Sequence, residues 1–258
     1  MKCPDTICSW QRTLLPSNIA PVNPLQAHSE HLFLRWLAQA AIVARKDLRI
    51  EVRSGEVVVT SSFFALLVVV IASMSFHGGP VSRPSVAAGT LWLSVAFATV
   101  LALSRSWQRE REESAYMGLL AAPLSRSALF MGKLLSLLLF LAVVECVVVP
   151  LVALLFAIDL TKVAPGLLAI ILCATPGIGA VGTLFGAMTV RTRARDLILA
   201  IVLFPLLAPT ILAAVVASRD LFGGAHLADL ADYLSLMGLF DVVFLTGGLS
   251  MFGLLIDE

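Results

Sequence analysis

The sequence predicts an all-α polytopic membrane protein with six transmembrane helices. Of its 258 residues, 59% are hydrophobic and 14% are charged, whereas soluble domains usually have about 45–50% and about 25%. Several apolar runs are at least 19 residues long and contain no Lys, Arg or Asp, which is the length that a helix needs to cross a bilayer core. The basic residues also collect on one side of these runs, as they do in membrane proteins of defined orientation.

The apolar runs define one membrane domain, residues 31–258, behind an N-terminal extension. The predicted spans cover residues 57–76, 86–104, 134–158, 166–190, 197–217 and 234–256. Residues 1–30 are rich in proline and lack the continuous apolar core of about 7–15 residues that a secretory signal shows. We therefore expect residues 1–30 to be a disordered extension.

A basic amphipathic helix is predicted over residues 32–53, directly before the first span. Arg45, Arg49 and Arg53 recur every four residues, so they share one helix face. Four apolar residues favour the other side, namely Leu37, Ala41, Leu48 and Val52. A helix of this kind beside a span is typical of the headgroup layer, although an ordinary solvated helix face would show a similar pattern.

The distribution of Lys and Arg predicts that both termini face the cytoplasm. With the N-terminus inside, thirteen basic residues of the membrane domain lie on the cytoplasmic side and three lie outside. The thirteen are Arg35, Arg45, Lys46, Arg49, Arg53, Arg105, Arg109, Arg111, Arg126, Lys133, Arg191, Arg193 and Arg195, and the three are Arg83, Lys162 and Arg219.

The fourth predicted span contains residues that bend helices or allow close packing. Pro176 and Gly177 can kink it, and Gly182 with Gly186 forms a GxxxG pattern that permits close helix contact. Because GxxxG is common in membrane helices, it only weakly indicates an interface with a second copy.

Two acidic residues lie inside predicted spans, Glu145 in the third and Asp241 in the sixth. An Asp at the centre of a membrane helix costs at least about 2.5 kcal/mol, so such residues are expected to face protein or a cavity. Three roles remain open for them: a polar contact between helices, the lining of a polar pathway, or no role. Their protonation states also stay open.

The sequence lacks the patterns that most enzymes and nucleic-acid-binding proteins show. GxxxxGK[ST], HExxH and GxSxG are all absent, so we expect no enzymatic activity and no nucleotide-binding loop in this chain. The four cysteines form no CxxC and no zinc-type spacing, which predicts no metal site. No basic cluster is interleaved with aromatic residues, so no nucleic-acid partner is expected.

The segment between spans two and three, "RSWQREREESAYMGLLAAPLSRSALFMGK" (105–133), concentrates charge in a chain that otherwise avoids it. Its alternating signs suit a solvated helix, and Ser125 after Pro123 has the character of a helix N-cap. We interpret the segment as a docking element for a cytosolic protein. A connector lying on the membrane surface is the alternative.

The residues of this segment, together with a second stretch, resemble a known family. "REREES", "GLLAAPLSRSALFMGKLL" and "VGTLFGAMTVRTRARDLILAIVLFPLLAPTILAA" are similar to the CcmB family of haem-exporter permeases, as are "RKDLRIEVRSGE" and "FDVVFL". The resemblance covers about residues 40–258. Ser114 stands where family members commonly have Gly, which leaves the local turn geometry open.

The resemblance implies a type-2 ABC transporter permease fold in the bacterial inner membrane. The implied partners are a cytosolic ABC ATPase that binds ATP, a haem-handling membrane protein and a small single-span protein. Haem is the implied ligand of this complex, which supplies it for c-type cytochrome maturation, and we expect no cofactor bound directly by this chain. Because ABC transporters use two ATPases, we also expect a homodimer.

The resemblance further implies that the loop between spans two and three couples the permease to the ATPase. The implied docking residues are Arg109, Glu110, Arg111, Glu112, Glu113, Tyr116 and Leu119. Two alternatives remain: a type-2 ABC permease for a lipid, drug or polysaccharide, and a scaffold that recruits a cytosolic protein without transport.

Overall fold

A computed structural model describes residues 24–76, 79, 81–112, 125–189 and 195–257, and the side chains of residues 34–76, 79, 81–105, 125–187 and 201–252. The described chain forms seven α-helices and one short 3₁₀-helix. They are α1 (Pro24–Ser54), α2 (Glu56–Ser75), α3 (Arg83–Glu112), α4 (Arg126–Leu155), α5 (Leu160–Thr189), α6 (Arg195–Phe222), the 3₁₀-helix Leu227–Leu230 and α7 (Ala231–Asp257).

Six of these helices, α2 to α7, are long and apolar enough to cross a membrane. This confirms the all-α class and the prediction of six helices that could span a membrane. The chain divides into two units after Ala38; the first described part of α1 belongs to one unit, and everything from Gln39 onward belongs to the other. Residues 1–23 of the predicted extension lie outside the described residues. Helix α1 begins at Pro24, earlier than the predicted start near residue 32.

Helix α4 begins eight residues before the predicted third span. Ser125 is its N-cap, and its hydroxyl accepts a hydrogen bond from the backbone N–H of Ala128, which confirms the predicted cap. The sequence placed Lys133 at the membrane edge because of its charge. In the structure Lys133 is 5% exposed, and its Nζ lies 2.8 Å from Oδ2 of Asp47. This ion pair lets the basic residue lie inside the helical bundle.

The packed face of α1 differs from the predicted apolar face. Ala41 and Val52 are exposed, and Val52 is 86% exposed. The buried residues are instead Ala40, Val43, Ala44, Asp47 and Glu51. The acids are buried because each has a partner: Asp47 pairs with Lys133, and Glu51 accepts a 2.8 Å hydrogen bond from the backbone N–H of Val58. The apolar pattern alone therefore did not identify the packed face.

The centre of the bundle is formed by α3 and α5. Helix α3 packs against α2, α4, α5 and α6, and α5 packs against α3, α4, α6 and α7. Trp92 on α3 and Ser218 on α6 are fully buried, and the indole N–H donates a 2.9 Å hydrogen bond to the Ser218 hydroxyl. Helices α2 and α7 lie at the periphery and expose apolar side chains such as Phe63 and Leu239. Such surfaces suit lipid or another membrane protein.

The buried ion pair between Asp47 and Lys133 should contribute strongly to the attachment of α1. Asp47→Ala leaves the ammonium group of Lys133 buried without its carboxylate, so we expect the free energy of unfolding to fall by about 3–5 kcal/mol. Thermal unfolding of the solubilised protein measures this change. Lys162, which is 81% exposed and paired with Asp159, provides a control, because Lys162→Ala should cost no more than about 1 kcal/mol. Equal losses in the two variants would contradict the assigned role of Asp47.

Candidate functional site

The candidate site lies around a proline in the middle of α5. Pro176 is an internal residue of this helix and has no N–H, so it cannot donate to the carbonyl of Leu172 as a regular helix would require. Its neighbours Thr175 and Gly177 are both buried. Each of them contacts an acidic residue from a different helix, which makes this part of α5 a meeting point of polar groups.

On one side, Glu145 of α4 contacts Thr175. The Thr175 hydroxyl donates a 2.6 Å hydrogen bond to Oε1 of Glu145, and both side chains are buried. Glu145 is ten residues from the end of α4 at Leu155, or about 15 Å at 1.5 Å per residue. That is half of a bilayer core about 30 Å thick, so this hydrogen bond joins two helices near the middle of the membrane.

On the other side, Asp241 of α7 lies directly against Gly177. A Cβ atom at residue 177 would overlap Oδ1 of Asp241, so glycine is what allows this approach. Oδ1 is buried and has no hydrogen-bond partner among the described residues. Helices α5 and α7 are therefore in close contact at an acidic side chain.

The fold thus brings together residues that the sequence had singled out separately. The two intramembrane acids and the Pro176–Gly177 pair form one arrangement, with an acid on each side of the proline. Its groups can form hydrogen bonds and hold or release protons. No group of three or more His, Cys, Asp or Glu residues suited to a metal ion occurs in the part of the chain that the structure describes.

Glu145 also lines a groove between α4 and α5. The groove has a volume of about 420 Å³, and its other lining residues include Ala142, Cys146, Val149, Leu168 and Leu172. The carboxyl group is thus a polar feature of a largely apolar wall. A second groove, of about 540 Å³, lies between α2, α3 and α6 and is lined by apolar residues apart from Thr90 and Gly89.

The GxxxG residues of α5 take part in packing within the chain. A Cβ atom at Gly182 would lie 2.6 Å from Cδ1 of Leu103 on α3, so glycine lets these two helices approach closely. Gly186 is also buried. The close contact at Gly182 is made inside one protomer.

The predicted docking residues are only partly described. Arg109, Glu110, Arg111 and Glu112 lie on the last part of α3, which continues to Glu112, and their side chains are outside the described set. Glu113, Tyr116 and Leu119 lie outside the described residues altogether. Docking by this segment therefore stays a prediction.

Three polar residues of the membrane domain were not recognised from the sequence. Thr175 resembles any hydroxyl residue in an apolar helix, and only the fold reveals Glu145 as its partner. Asp47 and Lys133 are separated by 86 positions, but one signal was available. Gln39, Val43, Asp47 and Glu51 recur every four residues and mark the packed stripe of α1.

Comparison with known proteins identifies the family. The family model described as CcmB protein matches residues 38–253, a range that contains all six membrane-spanning helices. The chain belongs to the CcmB family. This confirms the resemblance seen in the sequence, and it agrees with a multi-pass membrane protein of six spans.

Two curated CcmB relatives cover most of the membrane domain. The heme exporter protein B of Rhodobacter capsulatus is 29% identical over 172 residues, which are 65% of this chain and 76% of the relative. The heme exporter protein B of Paracoccus denitrificans is 28% identical over 182 residues, which are 70% of this chain and 82% of the relative.

The intramembrane acids of this CcmB protein should act mainly through hydrogen bonding. Glu145→Gln and Asp241→Asn keep size and hydrogen-bonding capacity, so we expect both variants to assemble and unfold like the wild type. Glu145→Leu should lose assembly, because the interhelical hydrogen bond to Thr175, worth about 0.6–1.7 kcal/mol, disappears. Asp241→Leu should lose assembly because the bulkier side chain does not fit against Gly177, and such a misfit costs about 1–3 kcal/mol. Thermal unfolding and membrane yield measure both effects.

A control comes from α7 itself. The Thr246 hydroxyl is exposed and donates only to carbonyls of its own helix, those of Val242 and Val243, so Thr246→Val should leave stability nearly unchanged. If the Gln and Asn variants are lost as completely as the Leu variants, ionisation of the acids matters and the hydrogen-bonding role is wrong.

Proposed function

We propose that this chain is the membrane subunit of an ABC exporter that handles haem for c-type cytochrome maturation. The observation that carries the proposal is the family match over residues 38–253, which includes the whole six-span domain. Two relatives that cover most of this domain are named heme exporter protein B. Haem is then the ligand of the complex and is delivered on the periplasmic side.

Energy for this activity must come from another chain. The sequence contains no GxxxxGK[ST] loop, the element that cradles nucleotide phosphates in ABC ATPases. A separate cytosolic ATPase is therefore the first partner of the proposal. A haem-handling membrane protein and a small single-span protein are the others, and the assembly belongs in the inner membrane.

The segment 105–133 is proposed to dock the ATPase. Helix α3 continues past the apolar run of the second span to Glu112, and its last eight residues, from Arg105 onward, belong to this charged segment. A charged helix end that follows an apolar span suits a contact with a soluble protein. Arg109, Glu110, Arg111, Glu112 and Glu113 would supply the polar contacts of this docking segment, and Tyr116 with Leu119 would supply the apolar ones.

The distribution of basic residues supports the required orientation. Thirteen Lys and Arg residues of the membrane domain would face the cytoplasm against three outside, so the docking segment and both termini would lie on the ATPase side. The proposed complex contains two copies of this chain, one for each ATPase. The exposed apolar surfaces of α2 and α7 are available for contacts between membrane proteins of the complex.

The intramembrane acids are proposed to keep α5 in place during transport. Glu145 fixes α5 to α4 through Thr175, and Asp241 lies between α5 and α7 at Gly177. Because Pro176 weakens the helix between these contacts, they would define where α5 can bend.

A second candidate is an ABC permease for another apolar molecule, such as a lipid. The apolar groove of about 540 Å³ between α2, α3 and α6 favours this reading, because a lipid chain could occupy it from the bilayer. The family match favours haem. The two candidates share the ATPase and differ in whether loss of the chain abolishes c-type cytochromes.

Charge reversal in the docking segment tests the coupling to the ATPase. Glu112→Lys together with Glu113→Lys should lower the amount of ATPase that co-purifies with the chain by several-fold, because rim charges govern association more than folding. Quantitative co-purification from membranes measures this loss. The stoichiometry of the complex is a separate prediction: native mass spectrometry of the wild type should give two copies of this chain for two ATPases. The control is Lys162→Glu, an exposed charge on the opposite side. Unchanged recovery of the ATPase with the double variant would refute docking at this segment.

A further inference from the structure

The second half of α1 is fixed to the end of the bundle by one side of the helix. Gln39 Oε1 accepts hydrogen bonds from the backbone N–H and the hydroxyl of Ser125, at 3.3 and 3.1 Å. One and two turns further along, Val43 packs beside Gly132, and Asp47 pairs with Lys133. These contacts determine which side of α1 points away from the protein.

The side that points away is basic. At about 100° per residue, Arg49 lies diametrically opposite the buried residues, with Arg45 and Arg53 one turn before and after it. All three arginines are exposed, and none has a hydrogen bond or ion pair among the described residues. We call Arg45, Arg49 and Arg53 the arginine face.

An exposed apolar flank separates the arginine face from the buried side. It is formed by Ala41 and Val52, of which Val52 is 86% exposed, and the half-buried Leu48 lies at its edge. An aqueous setting would disfavour such a surface, whereas the boundary between headgroups and acyl chains accommodates an apolar flank beside a basic face. A soluble protein on the arginine face would leave this flank in water.

The position of α1 in the fold agrees with that boundary. Helix α1 is joined by Gly55 to α2, whose membrane-spanning part begins at Glu56. Glu56 forms a 3.2 Å ion pair with Arg105 of α3, so charged groups of α2 and α3 meet at this level. The arginine face therefore lies where a membrane span emerges into the headgroup layer.

We propose that Arg45, Arg49 and Arg53 bind the headgroups of anionic phospholipids. Arg suits this ligand because its planar guanidinium makes paired hydrogen bonds to phosphate oxygens, and three arginines on successive turns can contact more than one headgroup. The net negative charge of such lipids distinguishes them from zwitterionic ones at a surface that carries only positive charge. The inference does not depend on the transported substrate.

The test uses the full chain in nanodiscs that contain equal amounts of phosphatidylglycerol and phosphatidylcholine. Native mass spectrometry after release from the disc measures which lipid stays bound. We expect the wild type to retain mainly phosphatidylglycerol, each single Arg→Gln variant of the arginine face to retain roughly fivefold less, and the triple variant to retain no excess of it. The triple Arg→Lys variant should keep most of the preference, because the charge remains.

The matched control is Lys162→Gln with Arg219→Gln, which removes two exposed charges at the opposite end of the bundle and should leave the retained lipid unchanged. The proposal is overturned if the wild type shows no preference for phosphatidylglycerol, or if the triple Gln variant retains as much of it as the wild type. It is also overturned if the triple variant loses the ATPase in co-purification while keeping the lipid, since the arginine face would then bind a protein.

Discussion

The hydrocarbon core offers no hydrogen-bond partners, so each polar group that enters it must find a partner within the protein. In the described part of this chain, some buried hydroxyls donate to carbonyls of their own helix, and other polar groups have a partner on a different helix. Thr175 meets Glu145 between α5 and α4, and Trp92 meets Ser218 between α3 and α6. Each contact forms only when the two helices have a particular rotation about their axes and a particular depth in the membrane. A few polar contacts therefore determine how largely apolar helices are arranged.

Close approach between helices at glycine residues is a second feature that determines how the helices are arranged. Gly132 lets α1 reach α4, since a Cβ there would lie 2.7 Å from the carbonyl oxygen of Ala40, and Gly182 lets α5 reach α3. At Gly177 close helix approach and a buried polar group occur together, because the missing side chain leaves room for the carboxyl group of Asp241. Helix α5 is consequently held on several sides while Pro176 interrupts its hydrogen-bond ladder. The backbone hydrogen-bond ladder of this helix is therefore weakest between its two polar contacts.

The sequence predicted what depends on local pattern. Span number follows from the lengths of the apolar runs, and the cap of α4 follows from Ser125. Contacts between distant helices were not predictable in the same way. Lys133 was assigned to the membrane edge because of its charge, and its burial depends on an ion pair with Asp47, which lies on another helix. The meeting of Asp241 with Gly177 likewise depends on helix rotation, which periodicity does not specify when apolar residues surround the helix.

The chain belongs to the CcmB family, and the function proposed for it is haem export for c-type cytochrome maturation. Deletion of the gene from its own host, followed by return of a plasmid copy, tests this account most directly. The measurement is the content of c-type cytochromes with covalently attached haem, compared with b-type cytochromes in the same membranes. The account predicts that deletion removes the c-type cytochromes, spares the b-type, and is reversed by the plasmid. Wild-type levels of c-type cytochromes in the deletion strain would contradict it.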